Sequence, residues 1–224
     1  MDKLTQKTFN LIGNYGWLIF SYFLFFAFMS FLSASFPQLD MEKYRQTELF
    51  KMFGESPVKF ILMAVIVAPI LEEAMFRTLI KPSKNELYLF ICAWFLVISS
   101  AFFPIEVNWI LKYIFLALCG ILLFIFLKNI FPKPAIRLIQ KLLLKYYKPV
   151  WFATAIIFGL VHIYNYVDIF NIDMVLFLLI FPRILAGFFF GKVKIENSGL
   201  IWPILMHSMN NSIVVVFMFP QLFE

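Results

Sequence analysis

Charged residues are scarce in this chain, and cysteine and histidine occur only twice each. Charged side chains make up 14% of the 224 residues and hydrophobic side chains 62%, whereas a soluble domain is roughly 45–50% apolar. So few polar side chains cannot cover the surface of a soluble fold of this size. The composition therefore excludes a soluble enzyme and predicts a polytopic membrane protein.

The shortage of cysteine excludes further classes. Cys92 and Cys119 each lie inside an apolar run without CxxC spacing, so neither a disulfide framework nor a cysteine zinc site is predicted. The net charge of +6 does not indicate a nucleic-acid partner, because most lysines and arginines fall in short segments between apolar runs. That distribution is typical of membrane proteins with basic cytoplasmic loops.

The apolar runs predict an all-α bundle of about seven transmembrane helices, with a range of six to eight, in a single domain over residues 1–224. The lower count allows for cleavage of the first segment, because Ser33-Ala34-Ser35 resembles a signal-peptide site, although the apolar core before it exceeds the usual length. The predicted spans are Trp17–Phe36, Val58–Ile80, Leu87–Phe103, Trp109–Phe131, Val150–Tyr166, Met174–Gly191 with a break at Pro182, and Leu200–Phe219.

The basic residues predict the orientation of these spans. A cytoplasmic N-terminus places twelve of them inside and only Lys43, Arg45, Lys51 and Lys59 outside. One cytoplasmic segment, Ala135–Lys145, has the spacing of a basic amphipathic helix, which lies in the headgroup plane of an anionic leaflet. The lipid bilayer is therefore the expected environment. The short loops favour a bacterial plasma membrane, with a eukaryotic organelle as the alternative, and no feature fixes an oligomeric state.

The run Val58–Ile80 contains two adjacent carboxylates and an arginine. Each ionisable group near the centre of a span costs about 2.5–3.5 kcal/mol on translocon scales, so partners or chemistry must offset that cost. Glu73 and Arg77 have the four-residue spacing of a helical ion pair, which predicts a structural role. Glu72 lies outside that spacing and is the better candidate for a general base.

Both histidines fall inside predicted spans, His162 four residues after Phe158 and His207 four residues before Asn211. The helical rise places Glu72, His162 and His207 about 13 to 20 Å from the nearest basic residue, so their depths are similar. Taken singly, each of these residues also fits a plain hydrogen bond between helices. Together they predict one polar cavity.

Three motifs in this order resemble those of the CPBP intramembrane proteases. They are EExxxR at Glu72–Arg77, FxxxH at Phe158–His162 and HxxxN at His207–Asn211. That family includes type II CAAX prenyl endopeptidases, abortive-infection-like proteins and bacteriocin self-immunity proteins. The resemblance implies a motif-bearing protease core over about 57–219. One departure is Thr78, at a position that is commonly glycine in the family.

The resemblance implies an endopeptidase that cleaves a membrane-associated peptide or protein. Glu72 would activate the water, and His162 would position the water or pass the proton to the leaving amine. His207 and Asn211 would donate hydrogen bonds to the oxyanion, and no Ser or Cys nucleophile is needed. The supporting residues would be Glu73, Arg77, Phe158 and Asn165.

A zinc-dependent mechanism is the alternative within the same family. Glu72, His162 and His207 could bind zinc as a His₂Glu site with one open position. We prefer the metal-free mechanism, without a cofactor, because Asn211 is a poor zinc ligand but a good donor to an oxyanion.

Two other functions compete with proteolysis. A non-catalytic protein of the same fold could act by binding, in bacteriocin immunity or as a scaffold, but binding alone gives no reason to have all four polar residues. A proton-coupled transporter would also use buried Glu and His, yet it would show paired repeat halves, and the sequence has none.

Overall fold

The computed structural model describes residues 2–36, 43–44, 52–104, 107–167, 169–170 and 172–218. Regular structure in these ranges is entirely helical, which confirms the all-α fold class. A π-helical turn spans Met63–Val67, and a 3₁₀ turn spans His162–Asn165. The helices are α1 Lys3–Ser35, α2 Pro57–Leu62, α3 Ala68–Phe76, α4 Lys84–Ser100, α5 Trp109–Ile130, α6 Lys133–Lys145, α7 Tyr147–Val161, α8 Met174–Asn197 and α9 Ile201–Met218.

Among the described residues, four stretches of helix are long and apolar enough to cross a membrane: α1, α5, α7 with its 3₁₀ turn, and α8. α9 is apolar but shorter, α4 has 17 residues, and the π-helical turn interrupts the predicted span Val58–Ile80. About seven spans therefore remain a prediction beyond these four. Three residues used in the sequence predictions lie outside the described residues: Arg45, Lys51 and Phe219.

The surface of α5 shows why lipid is needed. Of its 22 residues, only Leu116, Gly120 and Leu127 are buried within the protein. Leu111 and Leu122 are each about two-thirds exposed, at 65% and 67%. A helix that is apolar on every side and covered by so little protein is stable only in hydrocarbon.

The first helix is longer than the predicted span, which began at Trp17. It starts at Lys3, because the carboxylate of Asp2 caps it by accepting a hydrogen bond from the Thr5 backbone N–H at 2.7 Å. Its 33 residues extend about 50 Å, whereas the hydrocarbon core of a bilayer is about 30 Å thick. The polar first turns of α1 therefore extend beyond the hydrocarbon.

A polar network attaches α1 to α8. The amide of buried Asn14 donates to Glu196 Oε2 at 2.5 Å, and its oxygen accepts from Lys192 Nζ at 2.7 Å. Lys192 also lies 2.7 Å from Glu196 Oε1. One turn away, Asn10 Nδ2 donates to Asn197 Oδ1 at 2.8 Å. These contacts make α1 an integral part of the bundle.

The predicted break at Pro182 is wrong, and the helix extends beyond the predicted end of the span at Gly191. α8 continues through Pro182 to Asn197, because one missing N–H is tolerated where neighbouring helices support the segment. The helix ends where Ser198 and Gly199 adopt positive φ values of 57° and 87°. Positive φ values cannot continue a right-handed α-helix.

The N-terminus of α8 is fixed by Asp173. Its Oδ1 accepts from the Leu176 N–H at 2.8 Å, while Lys43 Nζ and Tyr44 Oη donate to Oδ2 at 2.8 Å each. The hydrogen bond from the Leu176 N–H has the largest effect on this carboxylate. Together the three donors stabilise its ionised form and lower the pKa of Asp173 to about 2.

The chain divides into two compact units, Met1–Pro69 with Trp151–Glu224, and Ile70–Val150. In the first unit α1 packs on α8, α8 on α9, and α9 on the π-helical turn. In the second unit α4 packs on α5 and α6 around the buried side chains of Leu87, Tyr88, Cys92, Leu127 and Ile136. Both cysteines are free thiols.

The predicted basic amphipathic helix is present as α6. Ile136 is buried against the core of its unit, whereas Leu138 and Leu142 are exposed. The exposed leucines alternate along the helix with Arg137 and Lys141, which is the arrangement of a helix at a lipid headgroup boundary.

Candidate active site

The two glutamates of the EExxxR motif have different surroundings. Glu73 and Arg77 are fully buried at 0% exposure, and Arg77 Nε lies 3.1 Å from Glu73 Oε2. The four-residue spacing on α3 thus gives the predicted ion pair. Glu72 is partly buried instead, because the next residue along a helix points about 100° away. Glu73 is thus the partner of Arg77 in a fully buried ion pair, whereas Glu72 is a partly buried residue whose Oε2 atom is itself buried.

The residue after the motif, Thr78, closes this helix end. Its hydroxyl donates to the Ala74 carbonyl at 2.7 Å, and the side chain is fully buried. The backbone continues as a turn in which the Ile80 N–H donates to the Arg77 carbonyl at 3.1 Å. Threonine in place of the family's common glycine is thus accommodated by a local hydrogen bond.

His162 begins the 3₁₀ turn and is oriented by the backbone of α7. Its Nδ1 lies 2.6 Å from the Phe158 carbonyl oxygen, and its ring lies 4.7 Å from the Phe158 ring. A carbonyl can only accept, so Nδ1 carries the hydrogen and Nε2 is the nitrogen that can accept a proton in the neutral ring. Asn165 ends the turn on the same side as His162, since residues three apart eclipse in a 3₁₀ helix.

His207, on α9, is held between two aromatic rings. Phe190 of α8 stacks on it at 4.7 Å with 23° between the ring planes, and Phe158 meets it edge to face at 5.6 Å. All three side chains are nearly inaccessible, with His207 2% exposed. Phe158 therefore contacts both histidines, so the structure brings His162 and His207 to one aromatic residue.

Phe190 was missed by sequence reasoning. It is the last of three consecutive phenylalanines in an apolar helix and belongs to no motif. The only local signal is the pair of small residues that flank these phenylalanines, Gly187 and Gly191, which indicates close helix packing.

Two glycines allow α7 and α8 to approach closely enough for these ring contacts. A Cβ atom on Gly187 would lie 3.1 Å from both Cα and the carbonyl oxygen of Ala155. A Cβ atom on Gly159 would lie 2.2 Å from Ile184 Cγ1 and 3.1 Å from its backbone nitrogen. The backbone atoms at these contacts cannot rotate away.

We expect Gly187→Ala to lower the free energy of unfolding in detergent by about 1–3 kcal/mol, because the new methyl group overpacks the contact with Ala155. The melting temperature measures this effect. Gly13→Ala on α1 is the matched control, since a Cβ there has no heavy atom within 4 Å. Equal melting temperatures for the two variants would contradict the close contact.

Asn211, four residues after His207, contacts the backbone of the π-helical turn. Its Nδ2 donates to the Ala64 carbonyl oxygen at 2.8 Å. The carboxamide is therefore fixed, and one of its two N–H groups is used by protein backbone.

The candidate residues are distributed over both units. His162, His207 and Asn211 lie in the first unit, and Glu72, Glu73 and Arg77 lie in the second. Within the parts of the chain that the structure describes, neither unit has a group of three or more His, Cys, Asp or Glu side chains that could hold a metal ion.

Comparison with known proteins identifies one family. Residues 135–213 match the Rce1-like type II CAAX prenyl endopeptidase family, a range that includes the FxxxH and HxxxN motifs and both glycine contacts. EExxxR precedes the matched range. No curated protein and no solved structure matches the chain significantly. The recognition drawn from the three motifs is confirmed to this extent: residues 135–213 are similar to the Rce1-like type II CAAX prenyl endopeptidase family, which is consistent with the CPBP family.

Proposed function

We propose that this protein is an intramembrane endopeptidase that hydrolyses a peptide bond of a membrane-associated peptide or protein. The observation that carries the proposal is the pair of histidines on Phe158, one with a fixed tautomer and one enclosed by aromatic rings. A histidine that only joined two helices would not need this degree of orientation. The match over residues 135–213 supports the same reaction class.

In the proposed mechanism Glu72 takes a proton from water as the water oxygen bonds to the scissile carbonyl carbon. The carbonyl oxygen becomes an oxyanion, to which His207 donates a hydrogen bond, with the second N–H of Asn211 as a further donor. His162, through Nε2, orients the water and helps to pass the proton to the departing nitrogen. The C–N bond then breaks to give a carboxylate and an amine.

Glu72, a partly buried residue, suits this role better than Glu73, which is fully buried beside Arg77. A general base must reach water and change its protonation state, whereas a fully buried carboxylate beside an arginine is held as a structural pair. We therefore assign Glu73 and Arg77 to the support of α3. Phe158 and Asn165 support His162.

A zinc ion held by Glu72, His162 and His207 would provide the other route to the same hydrolysis, by supplying Lewis-acid activation of water. The His₂Glu donor set suits zinc chemically, and the fixed Nδ1–H of His162 would leave Nε2 as its ligand atom. We propose the metal-free route, since the Asn211 carboxamide fits an oxyanion donor better than a ligand. Elemental analysis of purified protein tests this choice: stoichiometric zinc that is lost together with activity would overturn it.

We further propose about seven spans with a cytoplasmic N-terminus in a bacterial plasma membrane. This topology places the most basic segments, including α6, at the cytoplasmic leaflet. Cysteine accessibility at Lys3→Cys and Lys43→Cys, from opposite sides of sealed vesicles, tests the orientation.

The function itself is tested by comparing membrane peptides from cells with the wild-type protein and with Glu72→Ala, with Gly13→Ala as the matched control. We expect a small set of cleaved peptides in the wild type and the control that disappears in Glu72→Ala, while the protein level is unchanged. Identical peptide sets in all three strains would favour the non-catalytic alternative, a membrane protein that acts by binding.

A further inference from the structure

The helix that leads to the Glu pair contains a backbone carbonyl that lacks its usual partner. In the π-helical turn, the Ala68 N–H bonds to the Met63 carbonyl and not to Ala64, its partner in an α-helix. The next donor in the π register, five residues after Ala64, would be residue 69, which is Pro69 and has no N–H. The shifted register and the proline together leave the Ala64 carbonyl without a backbone donor.

Asn211 supplies the missing donor, because its Nδ2 lies 2.8 Å from the Ala64 oxygen. The contact is reinforced one turn further along α9, where Val215 is buried with Phe53 and Phe60 against Ala64 and Val65. In a bilayer no water can replace such a donor, so an unpaired carbonyl would carry its full desolvation cost.

We propose that Asn211 is a positioning residue that locks the π-helical turn by replacing the hydrogen bond that Pro69 removes. α3 follows this turn without interruption, and Glu72 is the third residue after Pro69. The lock thus fixes the backbone from which the proposed general base projects. Through this contact, Asn211 acts on Glu72 in addition to any donation to the oxyanion.

This inference rests on the proposed function for its activity readout but not for its stability readout. A π-helical turn and a proline are often found near functional sites, since a strained backbone there requires support from its surroundings. In this protein the π-helical turn and Pro69 act together, because both remove a backbone donor from the Ala64 carbonyl, and the Asn211 amide replaces that donor.

A double-mutant cycle tests the lock. Asn211→Ala is expected to lower kcat about tenfold or more and to lower the melting temperature, because the Ala64 carbonyl loses the Asn211 donor. Pro69→Ala restores a backbone N–H at residue 69. In the Pro69→Ala background, the loss of kcat caused by Asn211→Ala is therefore expected to be at least about threefold smaller than in the wild type, the remaining loss being that of the donor to the oxyanion, and the melting temperature is expected to change by much less.

Ser212→Ala is the matched control, since the Ser212 hydroxyl bonds only within α9, to the Ser208 carbonyl at 2.7 Å. It should change neither kcat nor the melting temperature. A loss of kcat in Asn211→Ala that stays at full size with Pro69→Ala would overturn the lock and leave Asn211 acting directly on the reaction. An unchanged melting temperature in Asn211→Ala would overturn it too.

Failure of the proposed function would look different. If the wild type cleaves no peptide, the melting temperatures of the four proteins in the cycle still measure the coupling between residues 69 and 211. Coupling in the melting temperatures without peptide cleavage would support the role of Asn211 at the π-helical turn and contradict the proposed protease function. Peptide cleavage without coupling would support the protease function and contradict that role of Asn211.

Discussion

Replacing Glu72 with glutamine is expected to lower kcat by about 10²–10⁴-fold while the melting temperature in detergent stays close to that of the wild type. Glutamine has nearly the same shape but cannot take a proton from water. The residue is partly buried, so the change does not open a cavity. Single-turnover cleavage of a native peptide and a thermal melt measure the two quantities.

Glu73→Gln is the matched comparison and should behave in the opposite way. It leaves the fully buried Arg77 beside a neutral side chain, and breaking a buried ion pair costs about 3–5 kcal/mol. We expect a large loss of stability and low yield. If Glu73→Gln folds normally and Glu72→Gln retains turnover, the assignment of the two carboxylates is wrong.

Replacing His207 with alanine is expected to reduce kcat by about 10²–10³-fold with little change in KM, because a donor to the oxyanion acts mainly in the transition state. His207→Gln retains an N–H donor and should recover part of the loss. Steady-state kinetics on the same peptide give both parameters. A rise in KM with unchanged kcat would instead make His207 a substrate-binding residue.

The ring that stacks on His207 provides a finer test of the same role. Phe190→Leu keeps an apolar side chain but removes the aromatic face at 4.7 Å, so kcat should fall, though by less than in His207→Ala. Phe189→Leu changes the adjacent residue, which meets the Phe188 ring edge to face, and should leave kcat unchanged. Equal kinetics for the two variants would show that ring stacking does not orient the histidine.

Several features of the fold were predictable because they depend on local spacing. The Glu73–Arg77 pair and the orientation of His162 by Phe158 both follow from the four-residue period of a helix. The amphipathic helix α6 likewise follows from its periodicity. The predicted break at Pro182 was wrong because the rule that proline ends a helix holds best in water.

Contacts between distant segments were not predictable from one sequence. Nothing near Phe190 indicates that it stacks on a histidine 17 positions later, and nothing near Ala64 indicates that its carbonyl needs Asn211. The register of a π-helical turn depends on which side chain is available to satisfy it. That side chain comes from another helix.

By itself, the sequence determined that this is an all-helical membrane protein with carboxylate, imidazole and carboxamide groups inside apolar segments, because composition and period suffice for that. Only the tertiary structure decided which of these side chains are held in one orientation and which neighbouring residues hold them. His207 is fixed by rings from two other helices, and Asn211 is engaged by a carbonyl from a third. Such contacts depend on how closely helices approach. At positions such as Gly159 and Gly187, that approach requires a residue without a Cβ atom.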